Sequence, residues 1–172
     1  MKYPKFTLLG LTYVLAIIIF YGNIFLPFRI LSLGYVGIFI AGILYSYGFT
    51  SGPAVVLLLL LAKEKNILLA GFLGALGALI ADLTIFRFIK ISFKDEISLL
   101  QKRFFKINKT DFLKKYFILL IASFIIISPL PDEIGVTLLA SLTKISTKVF
   151  LIISYLLNTL GIFIILILGN II

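Results

Sequence analysis

Ser128-Pro129-Leu130-Pro131-Asp132-Glu133 interrupts the centre of an apolar run that extends from Tyr116 to Thr143, 28 residues in all. Two membrane spans joined by a turn need more than about 40 residues, and a single span needs about 20. The run matches neither length. It fits a hairpin of two half-helices that enters a membrane and returns to the side it came from. The run from Ile30 to Ala62, 33 residues long, has the same character and is broken by Ser46-Tyr47-Gly48-Phe49-Thr50-Ser51-Gly52-Pro53. Gly48 and Gly52 permit a tight apex there, and Pro53 suits the first position of the returning half-helix. Pro129 and Pro131 shape the second apex, because proline ends a helix and frees carbonyls that need partners inside protein or a wet cavity.

Three uninterrupted stretches have the length of full spans: 6–27, 66–88 and 149–167. The run from Phe6 to Phe28 is longer than the apolar core of a secretory signal and lacks a small-residue cleavage site, so a retained span is expected. In the second stretch Gly71, Ala75, Ala78 and Asp82 follow at spacings of 4, 3 and 4, a single helical face. Small residues on it allow close approach of another helix and turn Asp82 into the protein. Ser154, Asn158 and Gly161 share a face of the third stretch. Between spans, Phe93, Ile97, Leu100, Phe104 and Ile107 keep helical spacing, while Lys94, Lys102, Arg103 and Lys106 occupy the other side. The segment 93–107 therefore reads as an amphipathic helix on an anionic membrane surface.

Composition agrees. Of 172 residues, 62% are hydrophobic and 13% charged, with a mean hydropathy of +1.22. Soluble domains carry roughly 45–50% apolar and about 25% charged residues, so one membrane domain, 1–172, is expected. Absence of cysteine and histidine removes disulfides, thiolates, imidazole bases and the common ligands of zinc and haem. No enzyme, cofactor or metal centre is expected. The formal charge of +9 lies beside apolar runs, where topology and anionic headgroups explain it better than nucleic acid does.

Topology follows from the basic residues, which accumulate on the cytoplasmic side. With Lys2 and Lys5 inside, the nine Lys or Arg between Arg87 and Lys115 also fall inside, as do Lys144 and Lys148. The expected protein is multi-pass in the plasma membrane, with its N-terminus and 89–115 cytoplasmic. Its first hairpin opens outward and its second inward. Each hairpin precedes a span, which makes an inverted repeat, echoed by Gly74-Ala75-Leu76-Gly77 and Asn158-Thr159-Leu160-Gly161, 84 residues apart. Opposed repeats with broken helices are a recurring plan of secondary transporters. The chain is thus read as all-α, with three full spans, two opposed re-entrant hairpins and a cytoplasmic amphipathic helix.

Pro129-Leu130-Pro131-Asp132-Glu133, followed by a basic-flanked return and a small-residue span, resembles the DedA family, also described as VTT or SNARE-associated membrane proteins; the resemblance covers roughly residues 30 to 170. Glu133 and the stretch 77–82 match that family's P-x-P-x-E-like hairpin and Gly/Asp-containing span. The arginine-bearing hairpin motif of bacterial members has no counterpart, since neither 48–54 nor 128–135 contains Arg. What the resemblance implies is movement of a phospholipid or polyprenyl-phosphate carrier between leaflets, often with proton coupling.

Asp132, Glu133, Asp82 and Asn158 are the candidate substrate or proton-exchange residues. An ionised carboxylate near the bilayer centre costs several kcal/mol unless hydrated or paired, and such groups are suited to exchanging protons. Asp132 and Glu133 also fit a second role, capping the returning half-helix. Asp82, about six residues from the expected span end, equally fits an acid reaching water at the boundary. Asn158 fits a bond to the second hairpin or a plain helix contact. The expected partners are membrane lipids, anionic headgroups and protons, with room for a homo-oligomer. Two other functions fit the same residues: a proton-coupled exporter of small cationic compounds, and a non-transporting membrane scaffold.

Overall fold

The structure, a computed structural model, describes residues 14, 33–63, 66–93, 95, 110–128, 130, 132–143 and 145–171, with the backbone alone at 110–115. The expected span 6–27, apart from Val14, and most of the amphipathic segment 93–107, including Lys94, Lys102, Arg103 and Lys106, lie outside these residues, as do Pro129 and Pro131.

Six helices and no strand occur among the described residues: α1 (Tyr35–Tyr45), α2 (Ser51–Ala62), α3 (Ile67–Ser92), α4 (Thr110–Ile127), α5 (Asp132–Leu142) and α6 (Thr147–Ile171). Two of them, α3 with 26 residues and α6 with 25, are long and apolar enough to cross a membrane. Both display an unbroken apolar outer stripe: Leu69, Phe72, Leu76 and Ile80 on α3, and Ile152, Leu156, Leu160 and Ile164 on α6, all exposed. That surface suits hydrocarbon rather than water.

At 11 and 12 residues, α1 and α2 each reach about 16–18 Å, little more than half of the roughly 30 Å hydrocarbon thickness. The turn between them is closed by its own hydroxyls. Thr50 Oγ1 donates to Leu44 O at 2.6 Å, and Ser51 Oγ to Gly48 O at 3.2 Å. Helix α2 begins at Ser51, so Pro53 is its third residue rather than its first, a place in the first turn where its missing N–H costs nothing. Neither Gly48 nor Gly52 has a positive φ; among the described residues only Gly34, just before α1, does. Both Gly48 and Gly52 are buried.

Three long-range hydrogen bonds fix how the two helix pairs, α1 with α2 and α4 with α5, sit against α3. At its N-terminal end, Asn66 N–H donates to Tyr35 OH at 3.3 Å, joining the start of α1 to the residue after the α2 return. At its C-terminal end, Lys90 Nζ donates to Ile145 O at 2.6 Å, joining α3 to the chain leaving α5. Between these, Tyr45 OH at the tip of the first pair donates to Ser128 O at the tip of the second, 2.7 Å away. The two hairpins thus have their bases at opposite ends of α3 and their tips together near its middle.

Exchange of the two halves, α1 for α4, α2 for α5 and α3 for α6, maps every principal packed pair onto another: α1 on α3 becomes α4 on α6, and α2 on α6 becomes α5 on α3. The sequence echo marks the same relation. A Cβ on Gly77 would stand 2.1 Å from Phe39 O in α1, and one on Gly161 2.6 Å from Ile127 O in α4. Each half therefore seats the first helix of its pair against a glycine of its own long helix.

Two apolar clusters flank the hairpin tips. One gathers Ile38, Tyr45, Leu58, Leu61, Ile162 and Leu166, the other Phe86, Ile126, Val136, Leu139 and Phe150. In the second, Phe86 and Phe150 stack at 4.0 Å with the Lys90 ammonium 4.4 Å above the Phe86 ring. Helix α3 starts on Asn66, whose Oδ1 accepts from Leu68 N at 2.9 Å and Leu69 N at 3.3 Å. Loss of this cap in Asn66→Ala is expected to cost about 1 kcal/mol, measured as a lowered midpoint of thermal unfolding in detergent; an unchanged midpoint would mean that the cap adds nothing.

Candidate functional site: a buried carboxylate pair where the hairpin tips meet

Asp82 lies sixteen residues into α3, with ten more before Ser92. It is fully buried and does not reach water at a span end. The difference has a local cause: α3 continues past Phe88 because Lys90 finds its partner in Ile145 O, so the basic residues do not end the helix. Asp82 thus sits near mid-helix, as does Asn158 in α6.

Helix α6 supplies two donors to one carboxylate oxygen. Asp82 Oδ2 accepts from Ser154 Oγ at 2.7 Å and from Asn158 Nδ2 at 2.7 Å, and the same amide nitrogen lies 3.3 Å from Ser154 Oγ. Spacing of four residues brings Ser154 and Asn158 onto one face of α6, and the small faces of α3 and α6 let the backbones close enough for both bonds. Asn158 therefore binds the α3 acid, not a group of the second hairpin.

Asp132, the first residue of α5, is also fully buried. Its Oδ2 accepts from Ser46 Oγ at 3.2 Å. Ser46, at the tip of the first hairpin, lies 3.2 Å from Ala78 O, one turn before Asp82. Ser46 thus ties Asp132 to α3 one turn from Asp82, and the two acids come from different halves of the chain. Neither Asp132 oxygen takes up an N–H of its own helix, so its geometry is that of a cluster member and not of a helix cap.

Three atoms of this cluster are buried without a hydrogen-bond partner: Asp82 Oδ1, Asp132 Oδ1 and Asn158 Oδ1. All three are acceptors. Leaving a buried polar atom unsatisfied costs roughly 1–3 kcal/mol, more when charged, and among the described residues no Lys or Arg side chain is bonded to either acid. Proteins retain such costs at sites that act.

Glu133 does not join the pair. It lines a groove of about 410 Å³ with Tyr47, Thr84, Ile85, Phe88, Ile89 and Thr137. The groove begins one residue from Asp132 and runs along α3 toward its exposed aromatic, Phe88. Hydroxyls of Thr84 and Thr137 are turned back to the carbonyls of Ile80 and Glu133 at 2.9 and 2.5 Å, which leaves the Glu133 carboxylate and the Tyr47 phenol as the polar features of mostly apolar walls.

Of the sequence-derived candidates, Asp82, Asp132 and Asn158 come together, and Glu133 stands beside them. Ser46 and Ser154 belong to the cluster as well. Ser154 was signalled by its shared face with Asn158, whereas nothing in the sequence distinguished Ser46 from other turn serines. No group of three or more acidic, His or Cys side chains suited to a metal occurs among the described residues. Comparison of the chain with protein-family models, with curated proteins and with solved structures finds no match, so the likeness to the DedA family rests on the residues quoted for it.

Proposed function

We propose that the chain is a multi-pass membrane carrier that moves an amphipathic molecule, a lipid or lipid-linked phosphate, between leaflets by taking up and releasing a cation at the Asp82–Asp132 pair. One observation carries the reading: two fully buried carboxylates with unsatisfied oxygens lie where two broken-helix hairpins touch tip to tip. Buried charges without partners are expensive, and in membrane proteins they mark ion and proton paths.

In this reading α3 and α6 cross the bilayer together with the 6–27 span. The hairpins enter from opposite faces, since their bases lie at opposite ends of α3. The tips then fall near the midplane, leaving a thin barrier on each side. The basic segment 89–115 and the N-terminus lie in the cytoplasm, and the membrane is the plasma membrane. A lipid would travel with its tails along Ile85, Phe88 and Ile89. This is the kind of activity that the resemblance to the DedA family implies.

A second cargo is favoured by one feature. The groove carries Glu133 and no basic residue, which suits a small cationic compound exported against a proton gradient. Proteoliposomes with a leaflet-restricted labelled lipid separate the readings from each other and from a scaffold without transport. Lipid movement is expected with the wild type, falling to the protein-free rate in the Asp132→Asn, Glu133→Gln double variant. Equal rates for the two proteins would remove the mechanism, and pH-gradient-driven efflux of a cationic dye without lipid movement would select the exporter.

A further inference from the structure

We propose that the cluster at the hairpin tips is a binding site for one alkali cation of sodium size, held by Asp82 Oδ1, Asp132 Oδ1 and Asn158 Oδ1.

The argument begins with hydrogen-bond capacity. The hydroxyls of Ser154 and Ser46 and the amide nitrogen of Asn158 are directed at Asp82 Oδ2, Asp132 Oδ2 and Ala78 O. Every unsatisfied buried atom that remains is an acceptor. Acceptors repel an anion and each other. A proton on one carboxyl supplies a single donor and leaves the other acceptors unmet, whereas a cation meets all three at once. The amide of Asn158 is held by its nitrogen to Asp82 Oδ2, and its carbonyl oxygen is buried without a partner.

Charge points the same way. Of the charged groups on the packed elements, α1 and α2 carry none. On α3, Arg87 is exposed and Lys90 is bonded to Ile145 O. Helix α5 adds only a further acid, Glu133, and Lys148 at the start of α6 is exposed. Among the described side chains, none is placed to neutralise the pair. Nitrogen and sulfur ligands are absent from the cluster, which disfavours transition metals. Calcium takes six to eight oxygens, often bidentate carboxylates, and magnesium retains several waters. Here each Oδ2 is already engaged, so each acid offers a single oxygen in a fully buried setting, too few to replace the shell of calcium or magnesium, and a monovalent ion, which sheds its water at lower cost, is the better match. The residual negative charge is met by the three donors on the Oδ2 atoms.

Binding at this site does not depend on the carrier reading; only the ion's role in driving transport does. The test uses the full-length protein in nanodiscs, with 22Na+ binding and thermal unfolding measured in sodium, lithium, potassium, magnesium, calcium and choline chlorides at equal ionic strength. Sodium is expected to bind with about one ion per chain and to raise the unfolding midpoint in a concentration-dependent way. Asp82→Asn, Asp132→Asn and Asn158→Ala are each expected to weaken binding at least about tenfold, while Asp95→Asn, an exposed acid, leaves it unchanged. Stabilisation by sodium no greater than by choline, binding that survives in all three cluster variants, or a preference for magnesium or calcium would each overturn the proposal. Sodium binding without transport of lipid or dye would leave the site and remove the carrier.

Discussion

Valine in place of Gly42 or Gly77 is expected to abolish recovery of folded protein. A Cβ at Gly42 would stand 2.0 Å from Gly74 O, and one at Gly77 2.1 Å from Phe39 O. Both obstacles are backbone atoms, so no side-chain rotation relieves them and α1 must move off α3. Overpacking usually costs about 1–3 kcal/mol, occasionally more, and a clash between two backbones belongs at or beyond the top of that range. Helices in lipid gain little from the hydrophobic effect on association, so close packing over small residues is much of what holds them. Displacing α1 also separates Tyr45 from Ser128 and Ser46 from Asp132, so the loss extends to the polar centre. Size-exclusion chromatography after detergent extraction reads the outcome. Monodisperse Gly42→Val and Gly77→Val at wild-type yield would contradict the packing of α1 on α3, whereas Leu76→Val, on the exposed face between them, is expected to behave as wild type.

Asp82→Asn is expected to make the protein more stable and inactive. An amide oxygen can still accept from Ser154 and Asn158, while the substitution removes one charge from a site without a basic partner. Replacing poorly compensated buried charge is often stabilising by about 1–4 kcal/mol, which for a chain of 172 residues corresponds to roughly 2–4 °C in Tm per kcal/mol. The rise should be seen in sodium-free buffer, where no bound cation compensates the wild type. Gain of stability with loss of activity is the usual signature of a residue kept for function. A variant that melts lower and still transports would show that Asp82 is a structural hydrogen-bond acceptor only.

Much of this architecture is legible in the sequence, because the signals that carry it are local. Ser128 to Glu133 and Ser46 to Pro53 break apolar runs with proline and glycine, and helices end at both places. The Gly71, Ala75, Ala78, Asp82 stripe needs only helical periodicity, and all four residues are buried. What the sequence leaves open are matters of depth and partner. The end of a helix in basic residues depends on whether they find acceptors, and the bond from Lys90 to Ile145, 55 residues away, lets α3 run on to Ser92. Asp132 fits helix capping and buried pairing equally well until Ser46, 86 residues away, is placed beside it. The contact of Tyr45 with Ser128 arises only when two hairpins from different halves are brought together.

The most direct test of the two opposed hairpins is sidedness of their bases. The chain contains no cysteine, so single cysteines at Leu33, Lys63, Tyr116 and Ser146 can be labelled in oriented vesicles with a membrane-impermeant maleimide. The expected result is labelling of Leu33 and Lys63 from the outer face alone and of Tyr116 and Ser146 from the cytoplasmic face alone; labelling of Leu33 and Lys63 from opposite faces would contradict it.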